Sequence, residues 1–553
     1  MLKSYQYQTL EYQKPADLDS ATPRHYPVVV VGAGPVGLTS AIDLAAKGHP
    51  VLLLDNDHTV SIGSRGVCYA KRTLEVLDRM GCDNSFVAKG TSWDIGRTFF
   101  RNDEVFHFNL RPQMDHNRPG MINLQQYYLE EYLLKRAREL PNLEMRFDNA
   151  VTAVEQQGDS VVLTVNTPDG DYTLSTDWLI AADGARSPIR TMLGLDIDGK
   201  VFMDRFLIAD VVMKADYPAE RWFWFDPPFH RNQSVLLHKQ ADNVWRIDFQ
   251  LGWQADPEEE KKPENVIPRI RAMLGDEREF ELEWVSVYTF QCRRMDTFTH
   301  GRVLFVGDAA HQVSPFGARG ANSGIQDSDN LGWKLDLVMR GVAPATLLDS
   351  YSQERCFAAD ENIMNSTRST DFITPKSTTS KTFRNAVLEL ANEFPFARAL
   401  VNSGRLSVPT WLTTSNLNTV DQDSFTGNML PGAPMDDAPV LFNGQTDWLL
   451  HHVGNQFTVL LYAEDTAHIE ADTVQSLHNL PLPVTIIVVA QQGQPRNDCK
   501  VLLDHKQRLV ERYDLQAGTT YLLRPDQHVA ARWRQYDFAQ VQAALQRAIG
   551  LTP

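Results

Sequence analysis

The sequence has little of what disulfide frameworks, thiolate metal sites or membrane spans require. Only five of its 553 residues are cysteines, and they are scattered without a Cys-x-x-Cys pair, which argues against disulfides and fits a reducing compartment. No segment has about 18 uninterrupted apolar residues, and residues 1–26 are polar, unlike a secretory signal. We therefore predict a soluble, cytoplasmic protein that does not bind membranes.

Positive charge is also in the minority. The 53 Lys and Arg residues face 70 Asp and Glu residues, a formal net charge of −17, which argues against a nucleic-acid-binding surface. Neither a Ser-His-Asp order nor a His-x-x-Glu-His signature stands out, so hydrolase and metalloenzyme functions lack support and no metal site is predicted. At this length the chain should divide into two or three domains.

What is present begins with a pattern typical of a dinucleotide fold. The apolar run Val28–Val31 predicts a buried parallel strand. Gly32-Ala-Gly34-Pro-Val-Gly37 then leads into a helix, which precedes a second apolar run and Asp55. The glycines permit a tight turn, backbone approach to a pyrophosphate and close packing of helix on strand. The helix N-terminus carries partial positive charge toward phosphates, and Asp55 can accept hydrogen bonds from ribose hydroxyls.

Two later segments distinguish FAD from NAD. Asp183-Gly184 and Gly307-Asp308 each follow a predicted strand, where the neighbouring glycine exposes an Asp that suits polyol or ribose hydroxyls. Between them, residues 200–290 have a mostly strand-like pattern rich in aromatic residues. The three segments in this order predict a FAD-binding domain that is interrupted by an inserted sheet.

These motifs resemble those of the single-component FAD-dependent aromatic hydroxylases, the para-hydroxybenzoate hydroxylase superfamily, over residues 27–370. The branch with phenol, hydroxyphenylpropionate and pentachlorophenol hydroxylases, which carry a C-terminal thioredoxin-like domain, looks most similar. The resemblance implies that Asp308 contacts the flavin ribityl chain and that Pro315–Gly324 faces the flavin. The cofactor-binding residues that the motifs and the resemblance predict are Gly32, Gly34, Pro35, Gly37, Asp55, Asn56, Arg65, Gln126, Asp183, Gly184, Gly307, Asp308, Pro315, Gly320, Ala321 and Asn322.

Two positions depart from the usual family pattern. Ala318 stands where glycine is common, and Arg319 stands where glutamine is common. Arg319 either adds positive charge near the flavin or points to solvent, and the residues alone leave both interpretations open. Because Gln125 and Gln126 are adjacent, the assignment of Gln126 is open by one residue.

The sequence says less about the substrate site. Side chains alternate along a strand, so Trp222 and Trp224 of Arg221–Phe225 share one face, and the resemblance puts this strand against the flavin. We predict substrate contacts from Trp222, Trp224 and Phe316. The candidates for binding or deprotonating a phenol are His238, Arg246, Tyr288 and Arg293, together with Pro315 of the flavin-facing segment.

The predicted fold is α/β with three parts. A Rossmann-like FAD-binding domain (1–199 and 291–412) contains an inserted, mostly antiparallel substrate-binding sheet domain (200–290). A linker (413–428) leads to a C-terminal thioredoxin-like α/β domain (429–553). Polar residues 374–382 are also predicted to be loop. Since the C-terminal domain lacks Cys-x-x-Cys, we interpret it as structural, supporting a homodimer.

The resemblance implies a reaction as well. NAD(P)H reduces FAD, O2 adds to give a flavin C4a-hydroperoxide, and its distal oxygen attacks a bound phenol, with the cofactor carrying the hard chemistry. One alternative is a flavin monooxygenase of a polyketide or heteroaromatic ring. A FAD-dependent halogenase shares the first motif but lacks support around Trp222–Trp224, and a flavin-binding regulatory module is an alternative from a different class.

Overall fold

The computed structural model describes residues 2, 4–20, 22–82, 84–111, 114–404 and 406–551. Within these residues the chain forms two eight-stranded sheets, one seven-stranded sheet and one three-stranded sheet. The elements as far as the start of the insertion are β1 (Arg24–Val31), α1 (Pro35–Ala46), β2 (Val51–Leu54), β3 (Cys68–Ala70), α2 (Lys71–Arg79), α3 (Ser85–Lys89), β4 (Thr91–Trp93), β5 (Ile95–Phe100), β6 (Asp103–Asn109), β7 (Met121–Asn123), α4 (Gln126–Arg138), β8 (Leu143–Arg146), β9 (Ala150–Gln157), β10 (Ser160–Thr167), β11 (Gly170–Ala181) and α5 (Pro188–Met192).

The first sheet confirms the predicted β-α-β unit. Strand β1 pairs in parallel with β2 and with β11, and β2 pairs in parallel with β8. Val28, Val29 and Val30 are fully buried, as expected for a strand covered on both faces. The carboxyl ends of β1 and β11 therefore lie side by side, at the edge where ligands bind in such sheets.

The insertion forms most of the second sheet. Its elements are β12 (Asp198–Val212), β13 (Arg221–Phe225), β14 (Ser234–Lys239), β15 (Val244–Leu251), α6 (Pro257–Glu260), α7 (Pro263–Leu274) and β16 (Glu281–Arg294). Strands β5 and β6, which the sequence assigned to the FAD-binding part, continue this sheet, because β5 pairs in parallel with β13. The other pairs in the sheet are antiparallel, which agrees with the mostly antiparallel arrangement that was predicted.

The chain then returns to the first sheet and adds a set of helices: β17 (Thr299–His300), β18 (Val303–Phe305), β19 (His311–Gln312), α8 (Gly320–Met339), α9 (Leu347–Ile373), α10 (Thr378–Glu393) and α11 (Pro395–Arg398). The loop prediction for residues 374–382 is wrong at its end. Ser377 and Ser380 form a capping box, which satisfies free N–H groups and starts α10 at Thr378.

The C-terminal part forms the seven-stranded sheet. Its elements are β20 (Pro439–Phe442), β21 (Gln445–Trp448), β22 (Thr458–Asp465), α12 (Ala471–Leu477), β23 (Thr485–Gln492), β24 (Lys500–Leu503), α13 (Arg508–Tyr513), β25 (Thr520–Leu523), β26 (Val529–Trp533) and α14 (Phe538–Ala548). Strands β22, β23 and β24 are parallel to one another, β25 pairs antiparallel with β22, and the edge strand β26 pairs antiparallel with β25. None of the helices in the described ranges is long and apolar enough to cross a membrane.

Helices α1 and α8 pack closely at Gly332. A Cβ atom at Gly332 would lie 1.8 Å from Oδ2 of the buried Asp43, whose other oxygen forms an ion pair with Lys47. We expect Gly332→Ala to lower the free energy of unfolding by about 1–3 kcal/mol despite the better helix propensity of alanine, because the buried carboxylate must move. Denaturant titration measures this.

Gly252 provides the matched control. A Cβ atom there meets nothing within 4 Å, so Gly252→Ala should change the free energy of unfolding by less than about 0.5 kcal/mol. Equal stability of the two variants would contradict the packing argument.

Candidate active site

Two of the three glycines in the glycine-rich turn allow close packing, and the third faces open space. Gly32 has φ +109°, and a Cβ atom there would lie 2.4 Å from the Ala182 carbonyl oxygen. A Cβ atom at Gly37 would lie 1.8 Å from the Gly32 oxygen, whereas one at Gly34 meets nothing within 4 Å. Gly34 is the N-cap of α1, and Pro35 is its first residue. The helix therefore presents its positive end to free space, where a pyrophosphate can approach the backbone.

Asp55 lies directly after β2, beside this turn. Its carboxylate accepts hydrogen bonds from the backbone N–H of Ala33 and of Asp57. Burial raises the pKa of Asp55, and these bonds oppose the rise. Each oxygen keeps a further lone pair, so the predicted bonds to ribose hydroxyls fit the geometry. Asn56 next to it is exposed.

Asp183 and Asp308 follow the neighbouring parallel strands β11 and β18, at the same edge of the sheet as the glycine-rich turn after β1. Oδ2 of Asp183 accepts from the backbone N–H of Ile189 at 2.9 Å, while its buried Oδ1 has no hydrogen-bond partner among the described residues. Asp308 is exposed to solvent, yet the surrounding protein raises its pKa by desolvation. A carboxylate with both properties lies in a deep cleft that is open to water.

A buried ion network holds the Gly307-Asp308 turn in place. Asp327 of α8 accepts from the Gly307 N–H at 3.0 Å and pairs with His311 and Arg355, each at 2.6 Å. Burial alone would raise the pKa of Asp327, but His311 and Arg355 outweigh it and the pKa is lowered. The charged Asp327 therefore fixes the turn that carries Asp308.

The flavin-facing segment leads into the N-terminus of α8. Gly320 and Ala321 begin the helix and are half-buried, and Pro315 is exposed. Ala318 has φ +53°, a left-handed conformation that favours glycine, which accounts for the glycine usual at this position. Arg319 is only 1% exposed and donates to Asn362 at 2.6 Å, so it does not point to solvent.

Two predicted cofactor residues, Asn322 and Gln126, hold protein segments with their side chains. Asn322 accepts from the Ala70 N–H at 2.8 Å and donates to the Cys68 carbonyl at 2.9 Å. Gln126 accepts from the Gly66 N–H at 2.9 Å and donates to Ser61 and Glu130. These two side chains therefore position the loop that carries Arg65, and Arg65 itself is exposed and close enough to lower the pKa of Asp308. Gln125 is buried and donates to the Ala241 carbonyl, so Gln126 is the better choice of the two.

One face of the second sheet carries a buried polar patch toward the flavin segment. Cross-strand pairs place Arg221 beside His238, His238 beside Arg246, and Arg246 beside Asp210. Asp210 binds the Arg246 guanidinium through two bonds of 2.8 Å. The structure thus places two of the candidate residues, His238 and Arg246, side by side, and it adds Arg221, which is 4% exposed.

The charge states of this patch follow from burial. Burial, with help from Arg246 and Arg221, lowers the pKa of His238 well below its usual value, so His238 is neutral at neutral pH. Its Nε2 has no hydrogen-bond partner within the described ranges. Its Nδ1 lies 3.7 Å from the Cys68 Sγ, so the neutral ring keeps Nε2 for one hydrogen bond to a ligand.

Asp248 belongs to the same face, although the sequence analysis did not single it out. It follows Arg246 by two residues on β15, and burial raises its pKa to about 7, although Arg246 and Arg221 oppose the rise. Its Oδ1 is buried without a hydrogen-bond partner in the described part of the chain. The alternation of Arg246, Asp248 and Gln250 with apolar neighbours was the signal in the sequence that could have revealed it.

Tyr288 connects the polar patch with the flavin region. Burial raises its pKa to about 12, and it lies within electrostatic range of Arg246 and Asp248 on one side and of Arg65 and Asp308 on the other. Its ring packs edge-on against Phe290 at 5.9 Å between centroids. Phe316 of the flavin-facing segment contacts Phe206 and Phe290 of the second sheet, and its predicted contact with the substrate stays a prediction.

Two predictions for the substrate site need correction. Trp222 and Trp224 do share a face, but it is the opposite one, where they pack with the cluster that includes Ile247 of β15 and Ile270 of α7. Phe223 and Phe225 face the flavin segment instead and pack with Phe316. Arg293 is also separate from the patch, because its guanidinium donates to Gln312 at 3.0 Å.

These residues fit FAD. Open space above Gly34, an unpartnered buried oxygen on Asp183 and a cleft-exposed Asp308 supply the backbone approach and the acceptors that a pyrophosphate, ribose and ribityl chain need. The N-terminus of α8 adds partial positive charge for a ring that becomes anionic on reduction.

Comparison with known families agrees with this geometry. A family model described as FAD binding domain matches residues 25–366, which is more than half of the chain. A second model, described as HcaD C-terminal domain, matches residues 440–548.

Relatives with curated names align over part of the chain. A 3-(3-hydroxy-phenyl)propionate/3-hydroxycinnamic acid hydroxylase of Klebsiella pneumoniae subsp. pneumoniae is 30% identical over 344 residues, 61% of this chain and 61% of that protein. A probable NADH-specific resorcinol 4-hydroxylase of Rhodococcus jostii is 30% identical over 59% of this chain and 62% of its own length. A 12-dehydrotetracycline 5-monooxygenase/anhydrotetracycline 6-monooxygenase of Streptomyces rimosus is 31% identical over 60% of this chain and 66% of its own length. The chain thus spans less than two thirds of these relatives' length.

Solved structures share the fold over nearly the whole chain. The flavin-dependent monooxygenase PieE, in complex with FAD and substrate, has a TM-score of 0.80 at 22% identity and covers 96% of this chain and 100% of its own. Aklavinone-11 hydroxylase, in a complex with FAD and aklavinone, has a TM-score of 0.77 at 22% identity and covers 96% of this chain and 99% of its own.

The raised pKa of Asp248 has a consequence for stability. A carboxyl group whose folded pKa lies above its unfolded value stabilises the fold below the unfolded pKa, and this contribution is lost as pH rises through the folded pKa. Between pH of about 4 and about 7, wild-type protein should therefore lose stability relative to Asp248→Asn. Denaturant titrations at several pH values measure the difference.

Asp276→Asn makes the same chemical change at an exposed carboxylate. Its free energy of unfolding should change with pH in the same way as that of wild type. If the stability of Asp248→Asn also followed that of wild type over this pH range, the assignment of the stability loss to Asp248 would be wrong.

Proposed function

Because the chain belongs to the FAD-binding-domain family of FAD-dependent aromatic hydroxylases, we propose that it is a monooxygenase that hydroxylates a phenolic ring with NAD(P)H and O2. The family membership supports FAD as its cofactor. Relatives named for hydroxyphenylpropionate and resorcinol support a small phenol as the substrate, and the name of one of them supports NADH as the reductant.

The observation that carries the proposal is the polar patch between the flavin region and the second sheet. Asp248, His238 and Tyr288 bring three titratable groups to one buried face, each with a pKa displaced by burial. Displaced pKa values at a cofactor-facing cleft are typical of catalytic sites. Elsewhere on that face the side chains are aromatic, including Phe206, Phe223 and Phe290, which suits an aromatic substrate and excludes water.

The cofactor would be held by Gly34, Asp55, Asp183 and Asp308 and by the N-terminus of α8. When bound, FAD supplies the transfer of two electrons from NAD(P)H to O2. In the net reaction a ring C–H becomes C–OH with one oxygen atom. The other oxygen atom leaves as water with the two electrons and with protons from NAD(P)H and solvent.

The chain's own residues would bind the phenol and take its proton. A free phenol titrates near 10, so it needs a base and positive charge to become a phenolate at neutral pH. Asp248, with a pKa of about 7, is ionised above that pH and can accept the proton, while Arg246 and Arg221 favour the phenolate. Tyr288, whose pKa is raised to about 12, stays neutral and can donate a hydrogen bond to the phenolate oxygen.

The finer predictions from the sequence belong to this proposal. We infer a FAD-binding domain (1–199 and 291–412) from which β5 and β6 join the substrate-binding sheet (200–290), and a C-terminal domain (429–553) after a linker. All five cysteines are free thiols, which supports the cytoplasmic location. The C-terminal domain remains the candidate surface for a homodimer.

A fused polyketide ring is the second candidate substrate. The tetracycline monooxygenase of Streptomyces rimosus matches as well as the phenol hydroxylases do, at 31% identity. The substrate panel therefore has to include both ring classes.

The test is substrate-stimulated oxidation of NADH and NADPH by the purified holoenzyme under isotopically labelled O2. We expect a simple or carboxyalkyl-substituted phenol to accelerate NAD(P)H oxidation and to gain one labelled oxygen atom, as measured by mass spectrometry. Gain of label by fused rings alone would favour the second candidate. If no aromatic compound gained label, the hydroxylase proposal would fail.

Asp248→Asn tests the proposed base. In wild type, kcat/KM should fall as pH drops below about 7 because the carboxylate is protonated. The variant should lose about 10²–10⁴-fold in kcat/KM and lose this inflection. Asp276→Asn should keep wild-type activity and its pH profile. An unchanged inflection in Asp248→Asn would assign the pH dependence to another group.

A further inference from the structure

Helix α8 joins the flavin site to the C-terminal domain. Its first turn, at Gly320 and Ala321, faces the cleft, and its second half is packed into the C-terminal part of the molecule. Trp333 and Leu337 belong to the same buried cluster as Phe457, and the Trp333 and Phe457 rings meet edge-on at 5.6 Å between centroids. Any shift of the C-terminal domain against α8 is therefore transmitted along one rigid element.

Buried ions fix the contact between the two parts. Arg524 and Asp526 lie in the loop between β25 and β26 and are 0% and 1% exposed. Arg524 binds both oxygens of Glu354 on α9, at 2.7 and 2.9 Å, and both oxygens of Asp526, at 2.9 and 2.6 Å. Lys334 of α8 binds the same Glu354 at 2.7 Å. The Arg524 guanidinium and the Lys334 ammonium group together balance the charges of the two buried carboxylates.

The same loop also holds α2. Arg72 donates to the Asp526 carbonyl and to the Gln527 side chain, each at 2.8 Å, and pairs with Asp329 of α8 at 3.0 Å. At the start of α2, Thr73 donates to Asn322 of α8 at 2.6 Å. Residues 524–527 therefore tie together α2, α9 and the part of α8 around Asp329 and Lys334.

We propose that Arg524 and Asp526 of the C-terminal domain are positioning residues for FAD, because their buried ion network sets where the N-terminus of α8 meets the flavin. This goes beyond the proposed function, since it assigns to the C-terminal domain a part in cofactor binding without any contact to the cofactor. Removal of one member of a buried ion group leaves its partners uncompensated. Without Arg524, Glu354 and Asp526 would repel each other, and α8 would move with α9.

The test measures FAD binding to apoprotein, without NAD(P)H or a phenol, so that its outcome is independent of the hydroxylase proposal. Arg524→Met should raise the dissociation constant for FAD by at least about tenfold, the equivalent of about 1.4 kcal/mol. The midpoint potential of the remaining bound flavin should become more negative, because a displaced helix N-terminus stabilises the anionic reduced ring less. Arg524→Lys keeps the charge but loses the bidentate contact. Its FAD dissociation constant and midpoint potential should therefore lie between those of wild type and those of Arg524→Met.

Arg532→Met is the matched control. Arg532 is 5% exposed, pairs with Asp421 at 2.7 Å and lies over the Phe425 ring, and neither of these partners belongs to α8 or α9. Its loss should lower the melting temperature and leave FAD affinity within about twofold of wild type, below about 0.4 kcal/mol. If Arg524→Met yields no folded protein, Asp526→Asn is measured in its place. An FAD dissociation constant and midpoint potential equal to wild type, in whichever variant folds, would overturn the proposal and leave the network a purely structural role.

Discussion

Backbone packing around Val36 sets the geometry of the whole cofactor region. A Cβ atom at Gly324 of α8 would lie 2.5 Å from the Val36 side chain, and one at Gly307 would lie 3.1 Å from it. Together with the contact of Gly32 on Ala182, these distances bring three segments that are far apart in sequence to a separation that only glycine permits. The turn after β1, the Asp308 turn and the start of α8 therefore form one unit, and the positions of the acidic side chains follow from it.

This explains which parts of the molecule could be predicted. The cofactor segments are local patterns, since each combines a buried strand with glycines at fixed spacing, and the strands, turns and helices around them form as expected. The substrate face was not predictable in the same way. Alternation shows that Trp222 and Phe223 point to opposite sides, but which side meets the flavin depends on where α7 packs, and that is a tertiary fact. Asp248 was missed for the same reason, and the contacts of Arg524 lie 170 residues away in sequence.

The two faces of the second sheet differ in composition: one packs as an apolar core, and the other carries the buried polar patch. On one side, Trp245, Ile247 and Phe249 pack with Val266 and Ile270 of α7 in an apolar cluster. On the other side, polar atoms such as Nε2 of His238 and Oδ1 of Asp248 are buried without partners among the described residues, at a cost of about 1–3 kcal/mol each. The apolar face offsets this cost. A site with unmet hydrogen-bonding capacity is ready for a polar ligand.

The charged surface around Arg524 also bears on how the chain assembles. Lys334 and Glu354 belong to the part of the chain that is synthesised first and already pair with each other at 2.7 Å, so that part has a compensated, hydrated surface before the C-terminal domain appears. Arg524 and Asp526 compensate each other in the same way on the other side. The apolar contact of Trp333 and Leu337 with Phe457 lies at the same interface. Joining the two surfaces requires the removal of water from four ions, a cost that only matched partner charges offset, so the ion network favours one docked arrangement of this domain over others.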